Sequence, residues 1–182
     1  MRAFFRELTV TAILALVIFI IINATLQTFI VIGGSMQPSF QHKDRLLVGK
    51  AAYFFSEPER GDVIIFLPPG NRNKDYIKRI IALPGDKVMV KDGVVYVNGS
   101  PLDEPYTKRP PNYTMEETEV TKDSYFVLGD NRINSTDSHS GWLVPRENIV
   151  GKAWLLIQPS LWPPGLWGAV PTYPLQEQLS NT

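Results

Sequence analysis

Three short stretches carry the residues in this chain that could do chemistry: Gly33-Gly34-Ser35-Met36-Gln37-Pro38, Tyr76-Ile77-Lys78-Arg79, and Gly129-Asp130-Asn131-Arg132 leading to Ser135 and Asp137. A serine hydroxyl is a weak nucleophile until a base takes its proton, and a lysine can be that base only when its amine is neutral near working pH. Lys78 sits among Tyr76, Ile77, Ile80 and Ile81. Burial in such a run disfavours the ammonium form and makes Lys78 a candidate general base for Ser35. The two glycines before Ser35 let the chain turn tightly and bring an N–H close to a reacting carbonyl, as an oxyanion site requires. Taken singly, each residue also has a plain structural reading: a solvated lysine at a strand edge, and a serine in a turn.

Other chemistries are short of residues. The 182-residue chain has no cysteine and only two histidines, His42 and His139, so thiolate chemistry is excluded and no zinc site or other metal or cofactor is expected. Eighteen basic side chains balance eighteen acidic ones, leaving no net field to draw in nucleic acid, which is therefore not expected as a partner. His139 with Asp137 suggests a rival triad, but two residues so close on one segment are expected to point apart. Arg60-Gly61-Asp62 precedes a Val-Ile-Ile-Phe run and reads as the turn that leads into a strand. The Asn-x-Ser/Thr triplets at Asn23, Asn98, Asn112 and Asn134 read as chance and turn chemistry.

The elements that must position these residues divide the chain into a short start (1–7), a transmembrane anchor (8–30), a mainly β catalytic domain (31–160) with a hairpin-containing subdomain (85–128), and a Trp/Pro-rich tail (161–182). No charged side chain occurs from Leu8 to Gln41, and Leu8 to Ile22 is almost wholly aliphatic. A span needs about 20 residues, so the run must extend through Asn23, Thr25 and Gln27 toward Phe29. A cleaved leader is the alternative, but no clear small-x-small cleavage site follows the apolar core, and the polar part runs straight into another apolar stretch, Phe29 to Ile32. Arg2 and Arg6 favour a cytoplasmic N-terminus, an asymmetry weakened by Lys43, Arg45 and Lys50. Beyond the anchor, short β-branched runs at 45–48, 63–67, 76–83, 87–90, 94–97, 124–128 and 149–157 are separated by Gly, Pro, Asn and Asp, as strands are. Asp92-Gly93 and Asn98-Gly99 suit tight hairpin turns, and 101–121 reads as a loop with one edge strand. The tail, with Trp162 and Trp167 among prolines, suits a seat at a membrane interface or packing on a sheet edge.

In these stretches, in their order, and behind an N-terminal anchor, the sequence resembles the type I signal peptidases over roughly 29–159. Arg60-Gly61-Asp62-Val63 and Leu83-Pro84-Gly85-Asp86 support the match. The resemblance implies an antiparallel β-sheet catalytic domain with one transmembrane helix, and a Ser-Lys dyad of Ser35 and Lys78 working through an acyl-enzyme. It implies Ser135 as a hydroxyl that helps hold the lysine and Asp137 as a supporting carboxylate, with Asp130 and Arg132 structural. It makes the Ser35 amide one oxyanion donor. Some members carry a second, hydroxyl donor at the position that is Gly33 here. Ile133 and His139 also depart from the pattern and put the ion pairing around Asp137 in question. Phe29, Val31, Met36, Asp75, Tyr76 and Ile77 are implied around two shallow pockets for small side chains, with the 75–77 backbone pairing with an extended substrate. The implied partners are signal peptides of secretory precursors and the lipid bilayer, at a single-pass site in a bacterial plasma membrane with the catalytic domain outside the cytoplasm. Two other readings stay open: a Ser-Lys peptidase dedicated to one substrate, and an inactive membrane-tethered β domain that binds peptides.

Overall fold

A computed structural model describes residues 2–70, 73–157 and 167–169. Helix α1 covers Arg2–Thr25. Its 23-residue stretch Ala3–Thr25 is unburied by the rest of the fold and is long and apolar enough to cross a membrane, with a length of about 35 Å at 1.5 Å per residue. The helix ends earlier than its composition suggests. Residues 26–30, expected within the anchor, instead form strand β1 (Leu26–Ile30), antiparallel to β2 (Arg45–Gly49) with Leu26 opposite Gly49 and Ile30 opposite Arg45. The polar residues Gln27 and Thr28 interrupt the aliphatic run there, and a partner strand satisfies backbone groups that the helix would otherwise hold.

The catalytic-size body is mainly antiparallel β, as composition and turn spacing predict. The large sheet adds β3 (Val63–Phe66), β4 (Tyr76–Ala82), β9 (Ser124–Leu128), the two-residue β10 (Val144–Pro145) and β11 (Ile149–Ile157). Its order is β1-β2-β11-β3-β4-β9-β10, with β12 (Trp167–Ala169) also paired to β11. Between β4 and β9 the chain builds a second sheet from β5 (Lys87–Lys91), β6 (Val94–Val97), β7 (Ser100–Pro101) and β8 (Met115–Glu119), in the order β7-β6-β5-β8. Asp92 and Gly93, and then Asn98 and Gly99, all take positive φ at its two turns, the conformation such pairs supply cheaply. Strand β8 is the edge strand expected within 101–121. The Trp162 segment lies outside the described residues.

The apolar run of β3 is unbroken because both its faces are covered. Val63 and Ile65 join Val31, Met36, Phe40, Leu46 and Ile77 in one cluster, while Ile64 and Phe66 join Tyr53, Ile80 and Val127 in another. A third cluster, with Ile81, Val88, Val97, Phe126 and Leu128, ties the small sheet to the large one. The Arg60-Gly61-Asp62 turn is structural: Asp62 accepts from Tyr53 Oη at 2.8 Å and pairs with Lys152 Nζ at 2.6 Å, and Arg60 pairs with Asp86 at 2.6 Å.

A fully buried ion pair joins β4 to the segment after β9. Arg79 donates from Nε to Asp130 Oδ1 at 2.9 Å and from Nη2 to Oδ2 at 2.8 Å, and from Nη1 to the Gly61 carbonyl at 2.9 Å; both side chains are fully buried. The Arg79 guanidinium also stacks on Tyr106, with its carbon 4.3 Å from the ring centroid. Removing one partner leaves an uncompensated buried charge, so Asp130→Ala is expected to lower unfolding stability by about 3–5 kcal/mol. Denaturant unfolding measures this, and Arg79→Met with Asp130→Leu is expected to cost less than Asp130→Ala alone.

Candidate active site

Lys78 lies on β4 opposite Ile64 of β3, where the strand period puts it on the same face as Tyr76 and Ile80. Strand β9 pairs with β4 only from Arg79 onward, so Lys78 stands where one edge of β4 becomes free. Its side chain is buried, and Nζ donates to Ser35 Oγ at 2.8 Å and to the Ile77 carbonyl at 3.0 Å. Burial lowers the Lys78 pKa to about 8, against the opposing pull of the Asp137 and Asp130 charges. The amine therefore loses its proton far more readily than an exposed lysine, reaching half neutral at a pH of about 8, while within hydrogen-bond reach of the serine hydroxyl.

Ser35 reaches this position from the far end of the sequence because the 129–131 segment grips its loop. Asn131 N donates to the Ser35 carbonyl at 2.9 Å, and Asn131 Nδ2 donates to the Gly34 carbonyl at 3.1 Å. Gly129 permits the approach: a Cβ there would lie 2.5 Å from the Ser35 carbonyl oxygen and would overlap Ser135 Oγ. Asn131 and Gly129 are site residues that residue chemistry alone did not single out. Their signal was present in the Gly129-Asp130-Asn131-Arg132 run, but which member touches the serine loop is decided by packing. Gly33 adopts a φ of +97° and donates its N–H to His42 Nδ1 at 3.1 Å. The Ser35 amide donates to no group among the described residues.

Two supporting residues sit differently from expectation. Ser135 Oγ is buried without a hydrogen-bond partner; it packs on Gly129 and lines the cleft, while the Ile77 carbonyl takes the Lys78 bond expected for it. Asp137 and His139, expected to point apart, are in contact. Asp137 caps the 3-10 turn Ser138–Ser140, and that turn folds His139 Nδ1 to 2.7 Å from Asp137 Oδ1. The other Asp137 oxygen accepts from the Gly129 amide at 2.8 Å. His139 also stacks on Tyr113 at 4.3 Å. It thereby supplies Asp137 with the partner whose identity was in question, and Ser35 is bonded to Lys78 rather than drawn into a His–Asp pair.

Ser35 and Lys78 open into a cleft of about 820 Å³ lined by residues 29–30, 32–35, 73–78 and 133–136. Of the residues expected around the pockets, Phe29, Asp75, Tyr76 and Ile77 line it. Val31 and Met36 do not: both are buried in the core cluster with Phe40 and Leu46, because alternation along the chain from β1 turns Val31 inward. Ile133 is exposed and lines the cleft with an apolar side chain. Among the described residues no group of His, Asp or Glu could hold a metal ion.

The family model described as "Signal peptidase, peptidase S26" matches residues 4–157. A probable signal peptidase I-2 of Synechocystis sp. is 47% identical over 130 residues, covering 69% of this chain and 60% of the relative. A signal peptidase I of Leptolyngbya laminosa is 47% identical over 126 residues, covering 65% of this chain and 62% of the relative. The chain thus spans about three fifths of the length of these two relatives. A crystal structure of a signal peptidase I from Enterococcus faecalis V583 aligns at 31% identity with a TM-score of 0.48, covering 53% of this chain and 97% of that one.

The lysine's burial sets both reactivity and stability. Acylation of Ser35 by an electrophilic serine reagent, followed by mass spectrometry, is expected to accelerate as pH rises through about 8 and then level off. Below that pH Lys78 is charged in folded and unfolded chains alike; between about 8 and 10.5 only the unfolded chain keeps the proton, so stability rises with pH in this window. Lys78→Met is expected to abolish acylation and, at pH 7, to raise unfolding stability by about 1–3 kcal/mol.

Proposed function

The chain belongs to the signal peptidase family, peptidase S26, and we propose that it cleaves N-terminal signal peptides from exported precursors after a small-x-small motif, with Ser35 as nucleophile and Lys78 as general base. The 2.8 Å contact between a buried lysine of lowered pKa and the serine hydroxyl carries this reading. Lys78 takes the Ser35 proton as Oγ attacks the scissile carbonyl, and the unoccupied Ser35 amide faces the developing oxyanion as one donor. Collapse passes the proton to the leaving amine and leaves an acyl-enzyme on Ser35. Lys78, neutral again, then activates water to release the signal peptide and restore the serine.

The supporting roles follow from position. Asp137 adds negative charge that keeps the Lys78 pKa from falling further, and with His139 it holds the Gly129 amide beside Ser35. Ser135 packs the wall next to the lysine. The free edge of β4 at residues 76–78 suits addition of an extended substrate strand, with alternate side chains directed at the wall of Phe29 and Ile77. Bulk on that wall limits the accepted side chains to small ones.

The bilayer is the second partner in this reading. Helix α1 crosses it once, with the β body outside the cytoplasm at a bacterial plasma membrane. The Lys50 amide bonds the Thr25 carbonyl at 2.8 Å, so the turn after β2 lies beside the helix end. That turn carries Phe54 and Phe55, 74% and 98% exposed, a placement suited to the interface that membrane aromatics prefer.

The test incubates the full chain in detergent with a secretory precursor and sequences the new N-terminus. Cleavage after a small-x-small site is expected, with Ser35→Ala and Lys78→Ala each lowering kcat by at least about 10³-fold. Cleavage that survives either change would remove the dyad, and cleavage of a single precursor among many would make the enzyme a dedicated one.

A further inference from the structure

A second groove of about 270 Å³ adjoins the main cleft at Ile133 and is lined by none of the 73–78 residues. Gln37, Pro38 and Gln41 of the nucleophile loop line it together with Asn131, and Ile133 lines both groove and cleft. The remaining lining residues are Lys108 and Arg109; no carboxylate lines the groove. Both cations are exposed and neither is in an ion pair among the described residues. The nearest acid in sequence, Glu104, is bonded elsewhere: both its oxygens accept from Arg132 at 2.6 Å.

The basic pair is also held in place. The Thr107 amide and hydroxyl both donate to the Glu104 carbonyl, at 3.0 and 2.9 Å, closing a turn just before Lys108. Pro110 and Pro111 follow Arg109 and restrict its backbone, and Pro110 packs over Gly93, where an added Cβ would meet its Cβ at 3.4 Å. Two cations on a loop braced at both ends lose less freedom on binding than two on a free loop. Gln37 is two residues from Ser35, hence within about 7 Å of it along the chain, the span of two extended peptide residues.

We propose that this groove receives the residues that follow the scissile bond and selects for a carboxylate side chain at the second or third of them, through Lys108 and Arg109. The inference rests on the peptidase reading for the direction of the substrate. An Arg fork can take a carboxylate through two bonds and a Lys adds a point charge, so an acidic residue just beyond the cut gains attraction while a basic one meets like charge.

The test uses three peptides alike except at the second and third residues after the cut, carrying Glu, Gln or Lys there. For the full chain in detergent, kcat/KM for the Glu peptide is expected to exceed that for the Lys peptide by about 3- to 10-fold, as two exposed ion pairs allow. Lys108→Glu with Arg109→Glu is expected to reverse the order, and about 1 M salt to flatten it. Fluorescence anisotropy of the uncleaved peptides on Ser35→Ala is expected to give the same ranking without catalysis. Equal affinity for the Glu and Lys peptides, or a preference that the double reversal leaves intact, overturns the proposal. Absent cleavage with the binding order preserved overturns the peptidase reading instead.

Discussion

The buried Arg79–Asp130 pair is the constraint on which the site depends. Lys78 precedes Arg79 on β4, and Asn131 follows Asp130 on the segment that grips the Ser35 loop. A two-bond ion pair with both members fully buried therefore fixes, one residue to either side, the strand that carries Lys78 and the backbone that holds Ser35. Tyr106 stacks on the Arg79 guanidinium and also lies beneath Arg132, 5.8 Å from its ring centroid, so the small-sheet loop closes over the same pair. Such a pair is costly to desolvate; its return is geometric, since a serine and lysine 43 residues apart must meet within a hydrogen bond.

Within that frame the lysine is a balance of opposing electrostatic effects. Burial favours the neutral amine, and the Asp137 and Asp130 carboxylates favour the ammonium, with burial prevailing. A carboxylate bonded directly to Nζ would hold the proton on the amine. Asp137 is instead occupied by the Gly129 amide and His139, and Asp130 by Arg79, which keeps both charges near enough to moderate Lys78 without capturing it. The same bonds shape the wall on which Ser35 rests.

The main cleft sets the apolar Phe29, Ile30 and Ile77 among polar residues next to a free strand edge, whereas the adjoining groove is polar and basic, with Gln37, Lys108 and Arg109. An extended peptide laid through both would meet shape selection before the reacting bond and charge selection after it. These are different physical filters: the first acts by excluding bulk, the second by a field that salt can screen.

Much of this was legible from residues alone. The aliphatic run to Ile22, the strand and turn alternation, the paired positive-φ turns at Asp92-Gly93 and Asn98-Gly99, and the pairing of a glycine-preceded serine with a lysine in an apolar strand all arise from local chemistry, which travels with the sequence. What only the tertiary structure decided depends on partners distant along the chain. Residues 26–30 leave the helix because β2 is there to pair with them; Val31 and Met36 turn into the core because Phe40 and Leu46 fill it; Ser135 yields its expected bond to the Ile77 carbonyl. His139 meets Asp137 because a capped 3-10 turn bends them together, against the expectation for neighbours on an extended segment. Residue type and spacing determine which groups are capable of acid–base and nucleophilic chemistry, whereas contact, burial and the resulting charge state are properties of the packed neighbourhood and exist only once the chain has folded.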